Sequence, residues 1–217
     1  MSERRGLFIV FEGGDGVGKT TQGALLARHL TDLGHEVVMT REPGDTPAGA
    51  VIRRLLLDPA TGDLDPRAEA LLYAADKAQH LAEVVRPALA RGAMVVCDRY
   101  LDSMLAYQGA GRVLEMTELA GIATWATSGL RPDLTVLLDL DPGEAVGRIV
   151  DKDRLEGAGD DFHRRVREQF LGLAEAAPGR YLVLPARDDR AAIAARVAAA
   201  VDALLTRMSA EHGTLAP

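Results

Sequence analysis

The stretch that most constrains this chain is Gly13-Gly14-Asp15-Gly16-Val17-Gly18-Lys19-Thr20, entered through the apolar run Leu7-Phe8-Ile9-Val10-Phe11. It satisfies G-x-x-x-x-G-K-[ST] at every fixed position. The run before it has the length of a buried strand, and Thr21 to Leu33 after it has helical character. Glycines let such a strand-to-helix turn close tightly, so that successive backbone N–H groups face inward toward phosphate oxygens. The positive end of the following helix strengthens that field. Gly13, Gly14, Asp15, Gly16, Val17, Gly18, Lys19, Thr20 and Thr21 are therefore the candidate contacts to a nucleoside triphosphate. Lys19 would reach the terminal phosphates, and the Thr20 hydroxyl would ligate magnesium.

Four further apolar runs read as strands: His35–Thr40, Ala93–Cys97, Leu134–Leu140 and Tyr181–Leu184. They are continuous rather than alternating, as expected of strands buried on both faces. Helical segments fill the intervals, which predicts an α/β fold: a five-stranded parallel sheet with helices on both faces. A chain of 217 residues can form this as one domain. The expected domain spans 1–208, closing with an Ala-rich helix near Arg190–Met208, and 209–217 reads as a frayed tail.

Composition removes several function classes. A net charge of −7 provides no global attraction to nucleic acid or membranes, so anionic substrates must meet local cations. No apolar run approaches the roughly 20 residues that span a bilayer, and nothing near the start resembles a signal peptide. The single cysteine, Cys97, sits in an apolar strand and reads as a buried core residue. A cytoplasmic setting is expected.

Between the strands lie candidate acceptor elements. Thr40-Arg41-Glu42-Pro43-Gly44-Asp45-Thr46 is a loop at a strand's carboxyl end, where open α/β sheets bind ligands, and the next helix carries Arg53 and Arg54. Asp65 and Pro66 start another helix, which includes Tyr73, Lys77 and His80. Tyr73 is either core packing or a ring that stacks on a base. His80 is taken as a surface residue without a role. The strand ending Val95-Val96-Cys97-Asp98 supplies the acid that helps hold hydrated magnesium beside a phosphate loop, and Arg99 follows it with a planar fork suited to phosphate. Ser103, Tyr107 and Gln108 come next at helical spacing, leading into a glycine-rich break. Asp151-Lys152-Asp153-Arg154-Leu155-Glu156-Gly157-Ala158-Gly159 is a charged, glycine-containing loop suited to a lid at about 148–160.

Together these stretches resemble the thymidylate kinase family. The residues that carry the likeness are Phe11-Glu12-Gly13, Thr40-Arg41-Glu42-Pro43-Gly44, Leu55-Leu56-Leu57-Asp58, Asp98-Arg99-Tyr100, Ser103 with Ala106-Tyr107-Gln108-Gly109, Arg131-Pro132-Asp133-Leu134, and Asp153-Arg154-Leu155-Glu156 with Phe162-His163. The resemblance implies phosphoryl transfer from ATP, with Mg2+, to dTMP. It implies that Asp15 approaches the deoxyribose 3′-hydroxyl and the attacked phosphate. Arg53 and Arg99 would grip the dTMP phosphate, with Glu42 in the surrounding water and metal network.

Tyr73 takes the place of the aromatic that stacks on thymine, Tyr107 would crowd the 2′ position, and Gln108 would contact the pyrimidine or its surroundings. Lys77 stands where the family normally has an arginine that hydrogen-bonds a thymine carbonyl. Gly16 in the loop matches the members that supply their catalytic arginine from the lid, which points to Arg148 and Arg154. Homodimers are usual in the family. Two other readings stay open here: a pyrimidine monophosphate kinase of broader specificity, and a homologue that binds nucleotide with weak catalysis.

Overall fold

Strand β1 (Phe8–Gly13) lies at the centre of the sheet, and every one of its residues is buried. Its side chains alternate between two cores. Phe8 and Val10 join one cluster, while Leu7, just before the strand, with Ile9 and Phe11 joins the other. A strand covered on both faces needs apolar residues at successive positions, which is the pattern seen before the phosphate loop. The computed structural model describes residues 5–144 and 159–213.

Helix α1 (Lys19–Asp32) follows β1 directly, with Gly18 at its N-cap in the left-handed region. Strand β2 (Val37–Arg41) leads to helix α2 (Pro47–Leu57), which Thr46 caps by accepting a hydrogen bond from the Gly49 N–H at 2.9 Å. Helix α3 (Pro66–His80) starts as expected, with Asp65 accepting from the Arg67 N–H. It continues through a widened turn over Leu81–Val85 into α4 (Arg86–Ala90). Strand β3 (Met94–Asp98) is followed by α5 (Leu101–Met104), which also widens, over Leu105–Gly111. Then come α6 (Met116–Thr127), β4 (Leu134–Asp139), α7 (Asp160–Ala176), β5 (Tyr181–Pro185) and α8 (Arg190–Gly213).

The strand order is β2-β3-β1-β4-β5, with every neighbouring pair parallel. Helices α1 and α8 cover one face, packing Leu26, Leu30, Ile193, Val197 and Val201 against the sheet. The other face carries α2 to α7. The five strands lie within a residue or two of the sequence reading. Two details differ from it. The segment after Ser103 does not break at its glycines but continues as a widened helix, and Gly111 lies so close to Phe162 that a Cβ there would come within 2.6 Å of the ring. Helix α8 also runs past Met208 to Gly213, since Ser209–His212 contains no helix breaker.

The alternation of β1 makes a stability prediction. Phe8 is fully buried and meets the Tyr100 ring edge-on at 4.9 Å. Phe8→Ala is expected to destabilise the fold by about 3–5 kcal/mol through lost burial and an unfilled cavity. Urea unfolding measures this; a loss below about 1 kcal/mol would place Phe8 outside the main core.

Candidate active site

The parallel order brings the carboxyl ends of β1, β2 and β3 to one edge of the sheet, the place where such sheets bind ligands. The phosphate loop leaves β1 at Gly13, whose φ of +131° and close approach to the Leu138 carbonyl leave no room for a side chain. Lys19 is buried, and its Nζ donates to the loop carbonyls of Gly13 at 3.2 Å and Gly14 at 2.5 Å. Burial, with the like charge of Arg99, lowers its pKa to about 8. Thr20 and Asp98 converge from α1 and β3, the hydroxyl donating to Asp98 Oδ2 at 2.6 Å.

Arg99 holds the site together. It sits just past β3 with φ at +66°, a left-handed conformation that turns the chain at the strand's end. Its Nη1 donates to the Gly13 carbonyl and to Ser103 Oγ, each at 3.0 Å. Its Nη2 donates to Asp15 Oδ1 and, at 3.3 Å, to the Tyr107 hydroxyl, which in turn donates to Asp15 Oδ2 at 3.0 Å. Burial alone would raise the Asp15 carboxyl, but Arg99 and Lys19 outweigh it and hold it down at about 2. Ser103 and Tyr107, four residues apart on a helical segment, thus meet one guanidinium.

All the side chains assigned to the acceptor border a single cavity: Asp15, Glu42, Arg53, Tyr73, Lys77, Arg99, Ser103, Tyr107 and Gln108. Arg53 Nη1 donates to the Pro43 carbonyl at 2.8 Å. Tyr73 belongs both to the core and to the cavity wall. Gln108 is buried, and its Nε2 donates to Glu69 Oε1 at 3.0 Å. Glu69 is an acceptor only, so this bond fixes which end of the amide is which. Arg148 and Arg154, together with almost all of the expected lid, lie outside the described residues.

Two features differ from the sequence reading. Lys77 borders the cavity, yet its Nζ donates to Glu42 Oε2 at 2.5 Å and to the Tyr100 carbonyl at 2.7 Å. His80, read as a surface residue, is fully buried: its Nδ1 bonds Glu42 Oε1 at 2.7 Å and its Nε2 meets Thr40 Oγ1 at 2.6 Å. The missed signal was spacing, since His80 lies three residues beyond Lys77 on the same helix face. Burial would raise the Glu42 carboxyl, but Lys77 and His80 hold it below the usual carboxylate range. Glu12 and Glu69, both fully buried and given no role in the sequence reading, also touch the site through Ser103 and Gln108.

The family model described as thymidylate kinase matches residues 11–197. The chain belongs to the thymidylate kinase family. It is 59% identical to the thymidylate kinase of Cutibacterium acnes over 202 residues, covering 93% of this chain and 99% of that one. The Clavibacter michiganensis thymidylate kinase is 56% identical over 204 residues, covering 92% and 96%. The crystal structure of the Ehrlichia chaffeensis thymidylate kinase superposes with a TM-score of 0.76 at 32% identity, covering 91% of this chain and 99% of that one. Within this family fold, the ion pair of Glu42 with Lys77 ties the β2–α2 loop to α3.

Removing one partner of a buried pair leaves an uncompensated charge. Lys77→Met is expected to cost about 3–5 kcal/mol of stability, and adding Glu42→Gln should recover most of it. Denaturant titration of the two variants and the parent checks this. A double variant as unstable as the single one would mean the pair does not hold the loop.

Proposed function

We propose that the protein transfers the γ-phosphoryl group of ATP to the phosphate of dTMP, giving dTDP and ADP. The observation that carries this reading is the double engagement of Arg99, which bonds the phosphate-loop carbonyl of Gly13 and the cavity-side hydroxyls of Ser103 and Tyr107. Donor and acceptor sites are thereby joined by one cation. Membership of the thymidylate kinase family favours dTMP as acceptor over the two other readings.

A non-bridging oxygen of the dTMP phosphate attacks the γ-phosphorus in line. The bond from that phosphorus to the β–γ bridging oxygen breaks, and ADP departs. The acceptor is already anionic, so no side-chain nucleophile is needed, and catalysis rests on alignment and charge neutralisation. Lys19 would exchange the loop carbonyls for the donor's terminal phosphates. Arg99 and Arg53 would grip the acceptor phosphate, Asp15 and Tyr107 would bound the sugar, and Tyr73 and Gln108 would hold the base. Arg148 and Arg154 are the cations proposed to close over the transferring group.

The converging oxygens of Thr20 and Asp98 fit a magnesium ion, which prefers oxygen ligands. Among the described residues no group of three or more His, Cys, Asp or Glu side chains is arranged for a metal, so phosphates and water would complete its shell. Bound there, magnesium would neutralise charge on the donor phosphates. No described helix is long and apolar enough to cross a membrane. The proposed setting is the cytoplasm, consistent with a lone, buried, reduced cysteine.

Steady-state ADP production with ATP–magnesium and a panel of acceptors tests the reading. The expected result is a kcat/KM for dTMP at least about 100-fold above dCMP and dGMP. Comparable use of dUMP would point to the broader pyrimidine kinase, and ATP binding without turnover to the weakly catalytic homologue.

A second copy of the chain is the proposed partner. Leu71 on α3 and Trp125 on α6 are 55% and 81% exposed, flanking an apolar groove that includes Ala75, Ala78 and Ile122. Trp125→Glu is expected to convert a dimer to a monomer in sedimentation velocity. An unchanged sedimentation coefficient would remove this face from the interface.

A further inference from the structure

Glu12 ends the apolar run of β1, with no exposed surface at all. The β1 alternation puts it on the same face as Phe8 and Val10, a face otherwise lined by hydrophobic groups. A carboxylate there contributes nothing to the strand and costs desolvation. Its oxygens nonetheless meet three donors from one short segment. Oε1 accepts from the Tyr100 N–H at 2.9 Å and the Ser103 N–H at 3.1 Å, and Oε2 accepts from the Ser103 hydroxyl at 2.6 Å. All three are donors, so the ionised carboxylate is the form that satisfies them.

The segment so held carries Arg99, Ser103 and Tyr107. The Ser103 hydroxyl has one proton, and giving it to Glu12 turns its lone pairs toward Arg99 Nη1, which donates to it at 3.0 Å. On the other side, Glu12 is bonded directly to Gly13, where the phosphate loop begins. We infer that Glu12 is a positioning residue for phosphoryl transfer: it anchors the Tyr100–Ser103 turn to the root of the phosphate loop and so sets where Arg99 meets the acceptor phosphate. The inference rests on the proposed reading of Arg99 as an acceptor-phosphate ligand. Burial, with the neighbouring charge of Asp102, raises the Glu12 pKa to about 7, so the ionised anchor is held at a cost to the fold. A carboxylate kept under that penalty and fully bonded into the site is expected where function, rather than stability, selects it.

The donor side has independent support. Lys19 holds the Gly13 and Gly14 carbonyls, and Gly13 pairs in register with Leu138 of β4. Loss of Glu12 should therefore act on the acceptor and spare the donor. Glu12→Ala is expected to raise the KM for dTMP about tenfold or more, because it removes charge-assisted bonds, while the KM for ATP stays within about twofold. Glu12→Gln, which keeps an acceptor for both backbone N–H groups but reverses the Ser103 bond, should fall between Ala and the parent. Glu12→Asp retracts the carboxylate by one methylene and is expected to raise the dTMP KM as well, should the Ala variant not fold.

Thermal unfolding of each variant establishes that it is folded, and Arg99→Lys is measured in parallel. A folded Glu12→Ala or Glu12→Asp enzyme with the parent's KM for dTMP would overturn the proposal. So would equal rises in the KM for ATP and for dTMP, which a merely structural role produces. If Arg99→Lys raises the dTMP KM and the Glu12 variants do not, the positioning role falls while the reading of Arg99 stands. If Arg99→Lys itself leaves that KM unchanged, the reading of Arg99 falls first.

Discussion

The phosphate-loop side of the sheet's carboxyl edge is tied together by one guanidinium. Arg99 is the first residue after β3, and its left-handed backbone turns the side chain back over the phosphate loop. From there it meets a backbone carbonyl, two hydroxyls and a carboxylate at once. A lysine has no planar fork and does not satisfy that set simultaneously. Asp15 is the counterion of Arg99, and its depressed pKa keeps it ionised at any physiological pH. On the proposed reading, an incoming acceptor phosphate would meet a cation already oriented.

A second ionic network supports the opposite wall. Glu42, Lys77, His80 and Thr40 are buried, linking the end of β2 to α3, and the Thr40 hydroxyl donates to Asp45 at 2.5 Å. Asp76 joins them by accepting from the Gly44 N–H, and burial beside Glu42 raises its pKa to about 6. Such a network offers little net stability over an apolar core, but breaking it exposes uncompensated charge. Its effect here is geometric. The loop that carries Glu42 to the cavity is held by α3, by the Asp98 carbonyl at the end of β3 and by Arg53 of α2.

Much of this was legible in the residues themselves. The phosphate loop, the five strands and the Asp65 cap follow from local pattern and from motifs at fixed spacing, while the side chains around the cavity were named largely through the family resemblance. His80 was misread because a lone histidine on a helix carries no mark of burial; only the partner loop from β2 makes it internal. Glu12 reads only as part of a motif, without a role, because its partners lie about ninety positions away, on a turn whose path is set by the β1–β3 pairing. Lys77 borders the cavity, but its bonds to Glu42 and Tyr100 depend on contacts between α3 and two separate loops.

The sequence by itself determined the class of fold and the chemistry of the donor site, because glycine freedom, strand burial and the Lys19–Thr20 pair act within a few consecutive residues. It also named side chains that border the cavity. Only the tertiary structure decided how those side chains are held: which carboxylate Arg99 faces, which carboxylate pairs with Lys77, and which buried acids stand behind Ser103 and Gln108. Those choices are made by contacts between residues far apart in the chain. Their energies depend on burial, and burial exists only once the sheet and its two helical layers have closed.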